Sequence, residues 1–239
     1  MLSQILIVLA LGSVTALATG LGALPFIFIS NVREQTVARL NAVAGGLMLG
    51  ASFQLILEGS SYGPWQTIVG AAVGVAVILF GEQWLEARPP RSARLSRQML
   101  LLVSVMTLHS FSEGIAVGVA FGGGEKLAGM ITAAIAVHNI PEGLAISAVM
   151  RPKGASVLTC AAWSIFSSLP QPLMAVPAFL FVDTVRPLLP YGLGFAAGAM
   201  VFMVFFELMP EAYAKTSAES VGLLVSVTLA SMILLQQFL

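Results

Sequence analysis

Residues 126–149 read KLAGMITAAIAVHNIPEGLAISAV. After Lys126, the only ionisable side chains in this stretch are His138 and Glu142, near its middle. A run of about 20 mainly apolar residues is long enough to cross the hydrocarbon core of a bilayer as a helix. A carboxylate inside such a helix costs on the order of 3 kcal/mol, so it usually marks a functional site. The stretch therefore predicts a transmembrane helix with a site near the membrane midplane.

The whole chain has the composition of a membrane protein. Hydrophobic residues make up 58% of the 239 residues, charged residues make up 9%, and the mean hydropathy is +0.95. Soluble domains of this size are far less apolar and carry more charge. We therefore predict an all-α polytopic membrane protein. A single transmembrane domain would cover residues 1–239, and two copies of one motif in it, at residues 109–116 and 138–145, indicate inverted-repeat symmetry.

A window of about 20 residues predicts eight transmembrane spans joined by short connections. The spans are 3–29, 37–59, 65–87, 98–121, 126–149, 155–181, 187–210 and 217–238. The longest connection, at about 88–97, contains prolines that end a helix and arginines that stay in water. It is predicted to be a cytoplasmic loop.

The distribution of basic residues predicts the orientation of these spans. Cytoplasmic loops of membrane proteins carry an excess of lysine and arginine. Nine basic residues fall on one side of the predicted topology, and only Lys126 and Arg186 fall on the other. The nine are Arg33, Arg39, Arg88, Arg91, Arg94, Arg97, Arg151, Lys153 and Lys215. We therefore predict that both termini are extracytoplasmic, in a plasma (inner) membrane.

Both histidines of the chain begin copies of one motif. Residues 109–116 read HSFSEGIA and residues 138–145 read HNIPEGLA, so each histidine is followed by a glutamate four positions later and then by a glycine. Positions i and i+4 lie on the same face of a helix. The motifs occur at the centres of the fourth and fifth spans, whose short connection favours an antiparallel hairpin. They are therefore predicted to meet near the midplane, where transporters with inverted repeats bind substrate.

Two imidazoles and two carboxylates form a set of nitrogen and oxygen ligands for a metal ion. The predicted ligands are His109, Glu113, His138 and Glu142. This set suits zinc, iron(II), manganese, cobalt or cadmium, whereas copper(I) prefers sulfur and calcium prefers oxygen alone. The glutamates also have oxygens left to bridge to a second, more weakly held ion near Ser110 and Asn139. A hydrogen-bonded or ion-paired structural cluster without metal is the alternative interpretation.

Other features separate classes of function. The chain has no Walker A pattern and no basic cluster interleaved with aromatic residues, so ATP and nucleic acid are not expected partners. An intramembrane metalloprotease would need a glutamate beside a metal-binding histidine, but serine and asparagine follow the histidines here. We therefore expect no enzyme. A metal transporter is favoured, and a non-transporting metal receptor or structural membrane protein is the alternative.

Small residues at GxxxG spacing allow close packing of helices within lipid. The spaced sets are Gly46/Gly50, Gly70/Gly74, Gly114/Gly118/Gly122 and Gly194/Gly198. Packing within one chain is the favoured interpretation, and a homodimer face is the alternative.

Two polar residues lie toward the outer end of the second predicted span. Glu58 is near that end, and Gln54 lies one turn deeper on the same helix face. Glu58 either gathers cations at the entrance to the site or is simply solvated.

The two motifs make the sequence resemble the ZIP (Zrt-, Irt-like protein) family of divalent-metal transporters. His109-Ser110-x-x-Glu113-Gly114 and His138-Asn139-x-Pro141-Glu142-Gly143 match its fourth-span and fifth-span signatures. The resemblance covers essentially the whole chain. It implies a binuclear site at the midplane, with the histidines and glutamates at the primary ion. Ser110 and Asn139 would lie at the secondary position.

The sequence departs from the family pattern in three places. Gln171 stands where the family often has a sixth-span glutamate before a proline, which removes a charge from the secondary position. Phe206 stands where a histidine commonly precedes the seventh-span carboxylate, so Glu207 is the remaining candidate ligand near the cytoplasmic exit. The connection at about 88–97 has no histidine, so buffering of metal by that loop is not expected.

The resemblance implies uptake of a divalent ion, such as zinc, into the cytoplasm. It also implies an elevator-like motion, in which spans one, four, five and six slide with the ion against spans two, three, seven and eight. The bound metal would be the transported ion, and no catalytic cofactor is expected. One tight site and a weaker second site are expected.

Overall fold

The computed structural model describes residues 1–28, 33–87, 97–122 and 124–238. No β-strand occurs in these ranges, which confirms the all-α prediction. The helices are α1 (Leu2–Leu21), α2 (Pro25–Phe28), α3 (Glu34–Tyr62), α4 (Pro64–Ala87), α5 (Arg97–Gly122), α6 (Glu125–Met150), α7 (Val157–Ser167), α8 (Pro170–Leu180), α9 (Val182–Val185), α10 (Leu189–Met203), α11 (Met209–Lys215) and α12 (Ala218–Gln237). The predicted loop at about 88–97 lies outside the described residues, except that α5 begins at Arg97.

Within the described ranges, seven helical segments are long and apolar enough to cross a membrane. They are Leu2–Phe28, Glu34–Tyr62, Pro64–Gly81, Leu102–Gly122, Ile131–Lys153, Arg186–Lys215 and Ala218–Gln237. These segments correspond to seven of the eight predicted spans and confirm the polytopic class. The sixth predicted span has a different form.

The sixth span, predicted as one helix over 155–181, is two shorter helices, α7 and α8. The prediction of a continuous helix is wrong because Pro170 and Pro172 have no backbone N–H to continue the hydrogen-bond ladder. The carbonyl of Ser168 therefore accepts a hydrogen bond from the N–H of Gln171 at 3.0 Å, which closes a tighter turn. The break sets Gln171 in the first turn of α8.

The long helices form two groups, and within each group the helix contacts of the first half of the chain are repeated in the second half. One group contains α1, α5, α6, α7 and α8, and the other contains α3, α4, α10, α11 and α12. Helix α1 contacts α6 as α8 contacts α5, and α3 contacts α12 as α4 contacts α10. Helix α3 contacts α6 as α10 contacts α5. This pattern matches the first three spans with the last three, as expected for an internal repeat.

The glycines at GxxxG spacing are contact points between helices of this chain. A methyl group added at Gly70 would lie 2.1 Å from the Tyr191 carbonyl oxygen, and one at Gly198 would lie 2.3 Å from the Ala71 carbonyl oxygen. Gly46 meets α12 in the same way, and Gly118 meets α8. Backbones approach this closely only where no side chain intervenes. These contacts confirm the prediction of packing within one chain.

A π-helical turn at Val204–Leu208 joins α10 to α11. Pro210 follows this turn and cannot donate a hydrogen bond to the carbonyl of Phe206, which accounts for the local widening of the helix. Glu207 lies on this turn and is partly exposed.

Candidate metal centre

The side chains of the two His-x-x-x-Glu motifs converge between α5 and α6. His109, Glu113, His138 and Glu142 each offer one ligand atom, and these atoms all lie within 4.8 Å of one another. The Nε2 atoms of the two histidines are 3.3 Å apart. Glu142 Oε1 lies 3.0 Å from Nε2 of His109 and 3.5 Å from Nε2 of His138. Glu113 Oε1 lies 3.5 Å and 4.0 Å from the same two nitrogens. The helix spacing and the hairpin thus place four ligand atoms around one point.

All four side chains are buried, with exposed fractions of 5% or less. Oε2 of Glu142 has no hydrogen-bond partner, and the Oε1 atoms of Glu142 and Glu113 have no neighbouring donor other than the two imidazole nitrogens. Buried carboxylate oxygens without donors are costly in a medium of low dielectric constant, and two neighbouring carboxylates also repel each other. A divalent cation would neutralise both charges. The cluster therefore has the composition and the charge of a cation site.

The glycine of each motif lets a neighbouring helix reach the site. A methyl group at Gly143 would lie 1.7 Å from the carbonyl oxygen of Thr19, on α1. A methyl group at Gly114 would lie 2.5 Å from the carbonyl oxygen of Gln171, on α8. Either methyl group would push the neighbouring helix outward. The glycines therefore bring α1 and α8 beside the glutamates that precede them in the sequence.

The residues predicted at the secondary position form a buried hydrogen-bonded network. Ser110, Asn139 and Gln171 have no exposed surface. Asn139 Nδ2 donates to the carbonyl oxygen of Thr15 at 2.8 Å and to Gln171 Oε1 at 3.0 Å. Gln171 Nε2 donates to Oε2 of Glu113, and Ser110 Oγ lies 3.5 Å from the same nitrogen. Asn139 Oδ1 accepts no hydrogen bond. The network joins the secondary position to Glu113 of the cluster.

A cavity between the two helix groups leads to the cluster. Glu58 and Gln54 of α3 line it, together with Glu113 and His138. Glu58 also lines a second cavity beside Tyr62, at the end of α3. This half-buried carboxylate thus lies between the end of the helix bundle and the cluster. Because Glu58 lines both cavities, the structure favours the interpretation that its carboxylate gathers cations at the entrance to the site.

Glu207 lies outside the four-residue cluster that the described residues form. Lys153 interacts electrostatically with Glu207 and with Glu211, so charges of both signs occur at this end of the bundle. A role for Glu207 as an exit ligand stays a prediction.

Sequence reasoning missed the contact between Asn41 and Glu211. Asn41 is fully buried in α3, and its Nδ2 donates to Glu211 Oε2 at 3.1 Å. Lys215 Nζ lies 3.6 Å from the other oxygen of the same carboxylate. The available signal was an amide side chain inside the second predicted span, but its partner lies 170 positions away in the sequence.

Several known proteins are similar in sequence to this chain. The profile of the family described as ZIP Zinc transporter matches residues 86–235. The zinc transporter GufA of Myxococcus xanthus is 31% identical over 214 residues, which are 82% of this chain and 84% of that protein. The zinc transporter ZIPB of Bordetella bronchiseptica is 30% identical over 235 residues, which are 89% of this chain and 75% of that protein.

A longer plant protein is also similar. A predicted zinc transporter of Arabidopsis thaliana is 43% identical over 225 residues, which are 91% of this chain but only 36% of the plant protein. The chain thus spans about a third of that relative and more than two thirds of the two bacterial ones. The family profile covers both histidine motifs and more than half of the chain. The chain belongs to the ZIP zinc transporter family.

Proposed function

We propose that this protein carries zinc and related divalent ions across a membrane into the cytoplasm. The observation that carries the proposal is the buried cluster of two imidazoles and two carboxylates, whose ligand atoms lie within 4.8 Å of one another. Membership of a zinc transporter family supports the same function. The ligand set also suits iron(II), manganese, cobalt and cadmium.

His109, Glu113, His138 and Glu142 would bind the transported ion directly. The histidines would supply nitrogen through Nε2, the atom that each turns toward the other. The glutamates would supply oxygen and balance the two charges of the ion. An ion held in this way replaces its hydration shell with protein ligands, which is what passage through a bilayer interior requires.

The direction of transport follows from the distribution of charge. The nine basic residues on one side of the predicted topology orient that side toward the cytoplasm, with both termini outside. The membrane potential then favours movement of cations inward, by about 2.3 kcal/mol per charge per 100 mV. The cavity lined by Glu58 would be the outer approach to the site.

An elevator-like motion is consistent with the way the helices pack. The closest glycine contacts join helices of the same group: Gly143 meets α1, Gly114 meets α8, and Gly70 meets α10. Among the described glycines, Gly192 approaches the other group, and it does so through the side chain of Ser112 at 3.3 Å. Close glycine contacts within each group, and the single glycine contact between the groups among the described residues, favour sliding of two rigid bodies. In this proposal α1 and α5–α8 move with the ion.

Flux measurements on purified protein in liposomes test the proposal. We expect uptake of labelled zinc into vesicles that contain the full chain, with competition by cadmium, iron(II) or manganese in an order set by the ligands. A non-transporting receptor or structural protein would bind zinc without any flux. Binding without flux would thus contradict transport and retain the metal site.

Glu58 should matter most at low metal concentration. We expect Glu58→Gln to raise the KM for zinc several-fold at low ionic strength, with little change in kcat. The reason is that its carboxylate concentrates cations in the cavity before they reach His138. Added salt should reduce the difference, because it screens partly exposed charges.

The matched control for this prediction is Glu125→Gln. Glu125 is an exposed carboxylate in the first turn of α6, on the same predicted side of the membrane as Glu58. It does not line the cavity. An equal change in KM for both variants would mean that Glu58 acts only through the general surface charge.

A further inference from the structure

The amide of Gln171 occupies a position that joins four helices around the metal cluster. Its Oε1 accepts a hydrogen bond from Asn139 of α6, and its Nε2 donates to Glu113 of α5. Asn139 in turn donates to the carbonyl oxygen of Thr15 in α1. Gln171 itself lies in the first turn of α8 and has no exposed surface. One continuous chain of hydrogen bonds therefore connects α1, α6, α8 and α5.

The backbone carbonyl of Thr15, at one end of this series of hydrogen bonds, sets the orientation of both amide side chains. The backbone carbonyl of Thr15 can only accept, so the NH₂ group of Asn139 must face it. The same NH₂ group then donates its second hydrogen to Gln171, which presents its oxygen. The NH₂ group of Gln171 is consequently turned toward Glu113, whose carboxylate can only accept. Reversing either amide would place two acceptors or two donors against each other.

This direction makes the secondary position unfavourable for a cation. A second ion there would use Oε2 of Glu113, the hydroxyl of Ser110 and the amide oxygen of Asn139. Gln171 points N–H hydrogens at the first two of these groups, and positively polarised hydrogens repel a cation. Asn139 Oδ1 accepts no hydrogen bond, but it is neutral and does not offset ionic charge.

Charge balance leads to the same result. The two carboxylates of the cluster offset the charge of one divalent ion. A second divalent ion would bring two further charges into a buried site, where uncompensated charge is strongly unfavourable. We propose, on the basis of the function proposed above, that this chain carries one divalent ion per transport cycle. An N–H of Gln171 would hold Glu113 in place, which is the role that a second ion would otherwise have.

Gln171 is then a positioning residue for the first ion. Its hydrogen bond engages Oε2 of Glu113, which leaves Oε1 facing the two histidine nitrogens. A carboxylate at position 171 would instead stand against Glu113 and would repel it. A cation between the two carboxylates would relieve that repulsion. The substitution Gln171→Glu should therefore create the second site that the native chain lacks.

Metal stoichiometry tests this proposal. Purified full-length protein in detergent is titrated with zinc by calorimetry, and the bound metal is counted after gel filtration. We expect one zinc ion per wild-type chain and two per Gln171→Glu chain. In transport, the variant should show a lower kcat together with a lower KM, because a second bound ion slows release.

The control variant is Gln236→Glu, which adds the same charge to the cavity leading to the cluster, whereas the amide that donates a hydrogen bond to Glu113 is that of Gln171. We expect one ion per chain for this control. Two ions on the wild-type chain would overturn the proposal, and this result does not depend on the folding of any variant. One ion on a folded Gln171→Glu chain would show that Gln171 does not stand in for the second ion. No ion on the wild-type chain would instead contradict the proposed function itself.

Discussion

Replacing His138 with alanine is expected to abolish high-affinity zinc uptake while the protein stays folded. His138 would supply one of the two nitrogen ligands, and its Nε2 lies 3.3 Å from that of His109. The chain contains no third histidine to substitute for it. Loss of a group that only orients a metal ligand already costs about 10- to 100-fold in affinity. Removal of a ligand itself should therefore reduce kcat/KM for zinc by at least about 100-fold.

The measurement for His138→Ala is uptake of labelled zinc into liposomes, with gel filtration to confirm the folded state. The matched control is Ser147→Ala, which removes another fully buried polar group from α6 outside the cluster. We expect near wild-type uptake for this control. Wild-type zinc affinity in folded His138→Ala protein would disprove the assignment of His138 as a ligand.

Replacing Glu142 with glutamine is expected to separate metal binding from the stability of the protein. Oε2 of Glu142 is buried without a hydrogen-bond donor, Oε1 faces only the two imidazole nitrogens, and Glu113 places a second carboxylate beside the same histidines. A neutral amide removes a buried charge and its repulsion from Glu113. The metal-free variant should therefore unfold at the same temperature as the wild type or at a higher one.

The same Glu142→Gln variant should lose the stabilisation that zinc brings. A ligand at 100 times its Kd adds about 2.7 kcal/mol to the free energy of unfolding. For the wild type, zinc should accordingly raise the unfolding temperature in detergent by several degrees. For Glu142→Gln the rise should vanish, because the ion loses a charged oxygen ligand and half of the compensating charge.

Thermal unfolding with and without zinc measures both effects in one experiment. Glu219→Gln is the control, since Glu219 is an exposed carboxylate at the start of α12, away from the cluster. Its unfolding temperature should rise with zinc as in the wild type. A full zinc-induced rise in Glu142→Gln would exclude Glu142 from the ligand set.

The amino-acid sequence alone was enough to predict the class of the protein and the pairing of its two motifs. Apolar runs of about 20 residues indicate transmembrane helices, because the thickness of the bilayer sets the length of a helix that crosses it. The i,i+4 spacing indicates a shared helix face, because the helical repeat depends only on neighbouring residues. Together with the short connection between the fourth and fifth spans, these two rules were sufficient to predict that His109, Glu113, His138 and Glu142 would meet, and the structure brings them together. Their role as ligands of the transported ion stays a prediction.

The tertiary structure decided how the surroundings of this cluster are arranged. Hydropathy is averaged over a window, so it did not detect the break that ends α7 and starts α8 beside Gln171. The same average gives no register between distant helices. Three features depend on such registers. They are the contact between Asn41 and Glu211, the cavity lined by Glu58, and the series of hydrogen bonds that links the Thr15 carbonyl to Glu113. Close contacts between glycines and the backbones of partner helices set these registers. Such contacts can be identified only once the partner helix is known.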